Sequence, residues 1–376
     1  MNILMLLSKD YLTDPRVTKE ATSLTNAGHH VTVIMWDRHK SREPDSTVNG
    51  VRILTIPTKG FMRLLPNDIL RNPFWWRKAY KKAQQLYQTF HFDVVHCHDL
   101  DTLQAGVWLK KKIGVTLVYD AHEIFSLMIE NNVPRFVVRY AESMEKRLVT
   151  TVDHIITVNE KCAEYFHTIS TQSITIVQNC KDLLGAYQPP TQKIFTLTFI
   201  GTVNRSRFFP EMLPVVGRIQ HVQLIIIAKK EDEIYDEVKR LASTFSNIQF
   251  LDPIPTSQVI DVTRQAHAVI GLFDPSSKIN CIGSPNKLFE AMATGRPIIV
   301  TKGTNGGDIV EKEQCGLAVD YSEQGLEQAI ITLRDNPALC EKLGRNGIRA
   351  AEREYNWGVQ QKNLFHVYDR IQKSLS

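Results

Sequence analysis

No apolar run in these 376 residues approaches the roughly 20 positions that a membrane-spanning helix needs. Cysteine is sparse. The six cysteines (Cys97, Cys162, Cys180, Cys281, Cys315, Cys340) are scattered with no CxxC pair, which argues against a zinc ribbon or a disulfide framework and for a reducing compartment. Charge of one sign is also lacking. The 45 Lys/Arg against 40 Asp/Glu leave +5, too little for a general polyanion-binding surface, so no nucleic-acid partner is expected. No G-x-G-x-x-G follows the first apolar run, which leaves a nicotinamide-dinucleotide reading weak. The opening "MNILMLLSKDYLTDPRV" lacks a basic n-region and a cleavage site, so it reads as a first β-strand and not as a signal peptide. These absences point to a cytoplasmic protein.

What is present is ordinary globular composition, 43% hydrophobic and 23% charged, at a length that suits two domains. Short apolar runs alternate with amphipathic stretches. In the first half the runs are "NILMLL", "HVTVIMW", "VRILTI", "DVVHCH", "VTLVYD" and "HIITVN". The stretch "DPRVTKEATSLTNAG" has Asp14 as N-cap, Pro15 as first helical residue and Gly28 as stop. "LLGAYQPPTQK", 183–193, interrupts the pattern and reads as a linker. Then "FTLTFIG", "VQLIIIA", "NIQFLD", "AVIGLFD" and "PIIVT" restart it. Strand–helix alternation predicts an α/β fold with two doubly wound parallel sheets. The expected domains are 1–185 and 186–376, with the chain from about Pro337 helical and its end packing back on the first domain. Two such sheets leave a cleft at the C-terminal ends of their strands, where open α/β sheets bind ligands.

One stretch concentrates the chemistry, "GSPNKLFEAMATGRPIIV", 283–300. Ser284 reads as an N-cap and Pro285 as the first helical residue, which puts Lys287 in the first turn. A cation at that end of a helix is unfavourable by roughly 0.3–1 kcal/mol. A phosphate bound there would remove the penalty. Lys287 and Glu290 are three apart and share the polar face. From the residues alone, the pair is either an exposed ion pair or a clamp with lysine on phosphate and carboxylate on ribose hydroxyls.

The same stretch, extended to "NCIGSPNKLFEAMATGRPIIV" and followed by "GLAVDY" and "EREYNW", resembles the C-terminal half of the retaining glycosyltransferases of family 4. "DPRVTKEATSLTNAGHHVTV", "FDVVHCHDLDTLQAG" and "VYDAHEIF" resemble the N-terminal half. The resemblance implies the GT-B architecture: two Rossmann-like domains facing a central cleft, the first taking the acceptor and the second the nucleotide sugar. It implies a retaining transfer from a UDP- or GDP-sugar to a carbohydrate or lipid-linked acceptor, with no metal and no other cofactor. The alternatives are a non-catalytic partner subunit of the same fold and a nucleotide-sugar epimerase.

By the same resemblance, Glu290 binds the donor ribose, while Lys287 and the backbone of Asn286 hold the diphosphate and sugar. Arg207 in "GTVNRSR" neutralises the leaving diphosphate, with Arg205 its rival, and His122 in "YDAHE" contacts the transferred sugar. Gly201, Ser284 and Leu288 complete the donor-binding set. Three departures stand out. Ile282 replaces a carboxylate common in the family, eight positions before Glu290. "SKDYLTDPRV" replaces the usual paired glycines of the first loop. Thr202 and Phe208 stand where arginine and glycine are common.

Three weaker signals remain. "HCHDLD", 96–101, has histidines and aspartates at ligand-like spacing, but a metal needs three or four convergent ligands. Asp99 or Asp101 capping the next helix, or lining the cleft, is the expectation. "TNGGDIV", 304–310, is either a phosphate or sugar cradle or an ordinary turn. Residues 57–82 hold seven Lys/Arg and one Asp together with Trp75, Trp76 and Tyr80. They form either a surface helix with its aromatics turned inward or an interfacial helix that docks by charge on an anionic membrane, which would place the protein at the inner membrane face.

Overall fold

The computed structural model describes residues 1–39, 41–65 and 68–375. The chain forms two compact units. The first comprises Met1–Val177 with Gln361–Ser376, and the second Gln178–Gln360. The division falls ahead of the Gly- and Pro-rich stretch 183–193, which belongs to the second unit. It is held there by the buried Arg296, whose Nη2 donates to the Gln188 carbonyl at 2.8 Å, and by the Tyr187 ring lying 4.8 Å from the Arg345 guanidinium.

The first unit is built on an eight-stranded sheet of order β3-β4-β2-β1-β5-β6-β7-β8. Its strands are β1 Asn2–Leu7, β2 His30–Asp37, β3 Asp45–Val48, β4 Val51–Pro57, β5 Val94–His98, β6 Thr116–Ala121, β7 His154–Thr157 and β8 Ser173–Ile176. All neighbours are parallel except β3 and β4, a hairpin turning at Asn49 and Gly50, both at positive φ. The central strands are continuous apolar runs because helices cover both faces. The helix Pro15–Asn26 begins as expected, with the Asp14 side chain accepting from the Arg16 and Val17 amides.

In the helix Asp68–Tyr87 the aromatics are turned inward, the first of the two alternatives for this segment. Trp75 is fully buried and stacks on Trp36 at 5.5 Å, while Trp76 donates its indole N–H to the Asp101 carbonyl at 2.6 Å. Tyr80 packs edge-on against Trp108 at 5.8 Å. The aromatics are core residues, and no tryptophan here reaches a headgroup. Arg77 and Lys81 are exposed and Lys78 and Lys82 half-buried, and the exposed apolar side chains of the segment are not the aromatics but Leu64, Ile69 and Leu70. Pro66 and Asn67 of this segment lie outside the described residues. No helix of the described residues is long and apolar enough to cross a membrane.

The second unit carries a six-stranded parallel sheet of order β11-β10-β9-β12-β13-β14. The strands are β9 Phe195–Ile200, β10 Val222–Ile227, β11 Ile248–Leu251, β12 Ala268–Gly271, β13 Ile298–Thr301 and β14 Gly316–Val319. The final helix, Trp357–Leu375, starts in this unit. From Gln361 onward it belongs to the first, where Asn363 donates to the Ile176 carbonyl and Tyr368 is buried. In each sheet the order of the parallel strands reverses near the middle, between β1 and β5 and between β9 and β12. The carboxyl ends at such reversals are where open α/β sheets bind ligands.

Candidate active site

In the second unit, β9 runs out of the sheet at the reversal point into Gly201, whose φ is +143°. A Cβ there would stand 3.0 Å from Lys287 Nζ and 3.2 Å from Arg207 Nη1. The missing side chain is what lets two cations close on the strand end. Lys287 is the second residue of the helix Asn286–Thr294 and is only 7% exposed. Its Nζ lies 4.4 Å from the centroid of the Phe199 ring. Burial, and then repulsion from Arg207, bring its ammonium down to about 7, against an opposing pull from Glu290.

Arg207 ends the short turn Arg205–Arg207, with Nη1 donating to the Thr202 carbonyl at 3.2 Å and its guanidinium 5.3 Å from the Phe273 ring centroid. Tyr321 pins this turn. Its hydroxyl accepts from the Phe208 amide at 2.9 Å and donates to the Arg205 carbonyl at 2.8 Å. Phe208 sits at φ +63°, a left-handed conformation that suits glycine, and its ring packs edge-on against Tyr321 at 4.8 Å. A non-glycine residue held this way costs on the order of 1–3 kcal/mol. The side chain of Arg205 is exposed. Thr202 donates to Glu231 at 2.9 Å.

Glu290 is 9% exposed and is salt-bridged to Lys181 Nζ at 3.1 Å. The exposed Lys287–Glu290 pair read from the helical wheel is therefore not formed. Both side chains lie inward, and the carboxylate's partner comes from the far end of the unit's sequence. The helix starts one residue later than expected, at Asn286, with Pro285 and not Ser284 in the cap position, and Ser284 Oγ accepts from Asn305 Nδ2 at 3.4 Å. Asn286 is exposed, with its side-chain oxygen accepting from Asn179 at 3.0 Å. The side chain of Leu288 is fully buried in the core and its N–H, in the first turn, donates to the Pro285 carbonyl. In "TNGGDIV" the helix Asn305–Glu313 is capped by its own Thr304, and a Cβ on Gly307 would meet the Thr301 carbonyl at 2.5 Å, so close packing accounts for that glycine.

In the first unit, a second polar cluster sits at the carboxyl ends of β1, β5 and β6. Neither aspartate of "HCHDLD" caps the helix Leu100–Ile113. Asp99 stands in the cap position without a cap bond and accepts instead from the His122 amide at 3.2 Å, and Asp101 accepts from the Ser8 hydroxyl. The hub is Asp120, at the end of β6. Its Oδ1 accepts from Arg16 Nη2 at 2.6 Å, and its Oδ2 lies 3.1 Å from both His98 Nδ1 and His122 Nε2. Arg16 also donates from Nε to Glu20 at 2.9 Å. His96 Nδ1 is 2.6 Å from the Tyr368 hydroxyl.

Burial works against the charge of Asp120, but Arg16 and His122 hold its carboxyl well below the usual range. Burial and Asp120 push Glu20 upward, to about 8. Burial and Arg16 oppose a charged His122, yet Asp99 and Asp120 outweigh them and raise it to about 9. Glu20, His96, His98 and Asp120 each offer one ligating atom within 4.8 Å of the others. Divalent metals take such donor sets. Here the Arg16 guanidinium already bridges the two carboxylates and supplies the cluster with positive charge.

Sequence reasoning missed Arg16, Glu20, Asp120, Lys181 and Tyr321. For the first two a signal existed. Arg16 and Glu20 are four apart and flank Val17, Ala21 and Leu24 on the buried face of their helix, where charge has no place unless paired.

Residues 16–183 match the model of Glycosyltransferase Family 4, and residues 194–336 match that of Glycosyl transferases group 1. Sucrose-phosphate synthase 4 of Arabidopsis thaliana is 34% identical over 115 residues, which span 30% of this chain and 10% of that protein. The structure of a sucrose-phosphate synthase from Thermosynechococcus elongatus superposes with a TM-score of 0.80 at 16% identity, covering 100% of both chains. HepE from Anabaena, solved in complex with UDP-glucose, superposes with a TM-score of 0.70 at 13% identity, covering 100% of this chain and 99% of that one. At these identities the superpositions establish a shared fold, the two-domain GT-B architecture.

Proposed function

We propose, from the premise that this chain belongs to glycosyltransferase family 4, that it transfers a hexose from a nucleotide sugar to a carbohydrate acceptor with retention at the anomeric carbon and without a metal ion. The observation that carries the proposal is the convergence of Lys287 and Arg207 on Gly201, at the reversal of the second sheet. Two cations meeting at a helix start suit a diphosphate. Glu290, one turn along the helix, is the group for the ribose hydroxyls, with Lys181 fixing its carboxylate. A UDP-sugar is the first donor to try, since HepE, which shares the fold, was solved with UDP-glucose.

The sugar's bond to the diphosphate breaks as a bond to the acceptor oxygen forms on the same face, and the acceptor proton passes to the departing phosphate. Lys287, Arg207 and the first-turn amides, with Arg205 in the second rank, stabilise the charge that develops on the leaving group. Such stabilisation is usually the largest single contribution to catalysis. His122, in the first unit, meets the transferred sugar. A lipid-linked acceptor fits the exposed Arg77 and Lys81 and the half-buried Lys78 and Lys82, which would draw the protein to anionic headgroups at low salt.

Incubation with a panel of UDP- and GDP-sugars and candidate acceptors, in EDTA, tests the reading. Release of nucleoside diphosphate is expected from one donor class. Tight donor binding with no release for any acceptor would make the protein a non-catalytic relative. Activity that appears only with added divalent metal would overturn the metal-free mechanism.

A further inference from the structure

The cluster around His122 is fixed more tightly than a sugar contact needs. Among the described residues, the charged and titratable groups facing its ring are Arg16 and Glu20 from the helix Pro15–Asn26, His96 and His98 from β5, and Asp99 and Asp120. Its Nε2 lies 3.1 Å from Asp120 Oδ2, within hydrogen-bond range. Its Nδ1 stands 3.6 Å from Asp99 Oδ2, an ion-pair contact too long for a hydrogen bond. Its own amide is held by the other Asp99 oxygen at 3.2 Å. Asp120 in turn has little freedom. Arg16 takes its Oδ1 at 2.6 Å, which turns Oδ2 toward His122, and Arg16 is itself anchored by Glu20 one helical turn on.

We infer that Asp120 and Asp99 hold His122 as an imidazolium that offers Nδ1–H to the substrate, and that Arg16 is the positioning residue that sets Asp120 for this role. His122 then acts as a fixed cationic donor and does not accept the proton of the acceptor hydroxyl. The inference rests on the proposed function for the identity of the substrate, but the clamp itself is a property of the first unit alone. It assigns a role to Arg16 and Asp120, neither of which touches substrate.

Histidine-labelled NMR of the full-length protein reads the clamp directly. His122 should stay protonated through pH 8. In Asp120→Asn its titration midpoint should fall by more than one pH unit, and turnover at pH 7.5 should fall about tenfold or more, with partial recovery below the new midpoint and with the donor KM nearly unchanged. Arg16→Lys keeps a positive charge but loses the two-pronged grip, and should lower kcat several-fold. Should Asp120→Asn fail to fold, Asp99→Asn, at a partly exposed position, must lower the His122 midpoint in the same direction. An ordinary midpoint in the native protein, or one that neither asparagine variant moves, overturns the clamp. A His122→Gln protein that transfers at full rate would remove His122 from the reaction, which is a failure of the proposed function and not of the clamp.

Discussion

The two sheets place buried charge at equivalent points, the carboxyl ends of their central strands, and balance it differently. In the first unit Arg16, Asp120, His122 and Asp99 alternate in sign, so each ion has its counterion within the chain. In the second, Lys287 and Arg207 close on the same glycine while the nearby carboxylate of Glu290 is engaged by Lys181. Burying an ammonium is expensive, and a lysine so placed beside another cation gives up its charge instead. Lys287 does so, brought down to about 7, whereas Asp120 remains firmly ionised. On the proposed function, the first cluster is complete in itself and the second is the one that an anion from outside would complete.

Substituting Lys287 should separate the two most sharply. Lys287→Met should lower turnover by about 10²–10³-fold, the loss typical of a group that stabilises developing negative charge. Its melting temperature should stay level or rise, because a disfavoured buried cation is gone. A variant that unfolds would make Lys287 a structural residue. Arg207→Ala should cost about 10–10² in turnover and less in donor affinity, since the diphosphate gains charge mainly as the bond breaks. Arg205→Ala, at an exposed side chain, is the control. Equal losses would erase the distinction between the two arginines.

Gly201→Ala brings a methyl within 3.0 Å of Lys287 Nζ at a φ of +143°. It should weaken nucleotide binding about tenfold and lower stability by about 1 kcal/mol. The smallest effect is expected from Glu290→Gln. Replacing a charge-assisted hydrogen bond by a neutral one should cost on the order of 1 kcal/mol in nucleoside diphosphate affinity, measured by calorimetry.

The fold was legible because strand–helix alternation is a local pattern, and both sheets follow it. The hairpin of β3 and β4 was equally legible in "TVNGVR", where Asn-Gly marks a two-residue turn, but it was not read. The sequence led to Lys287 and Glu290 through a cation in a first helical turn, but not to the burial of both. A helical wheel separates polar from apolar and does not show what packs on the polar side. Lys181 lies more than 100 positions from its partner Glu290, beyond any periodicity. For the aromatics of the helix Asp68–Tyr87 composition left two readings open, and the structure has the one with the rings turned inward, Trp75 fully buried against Trp36. The glycine common in the family at position 208 is explained only by the backbone: the position is left-handed, and this chain holds Phe208 there with Tyr321.

The central claim, that the second site is completed by a bound diphosphate, has a direct test in proton linkage. The unfolded chain keeps the Lys287 proton up to about 10.5 and the folded chain only to about 7, so in the free protein stability rises with pH across that window. A diphosphate that restores the ammonium must bring the proton back. Titration calorimetry with UDP or GDP at pH 8, in two buffers of different ionisation enthalpy, should report uptake of close to one proton per ligand bound. Lys287→Met should abolish that uptake. Binding with no proton uptake at pH 8 would show that Lys287 does not become charged against the ligand, and would contradict the account.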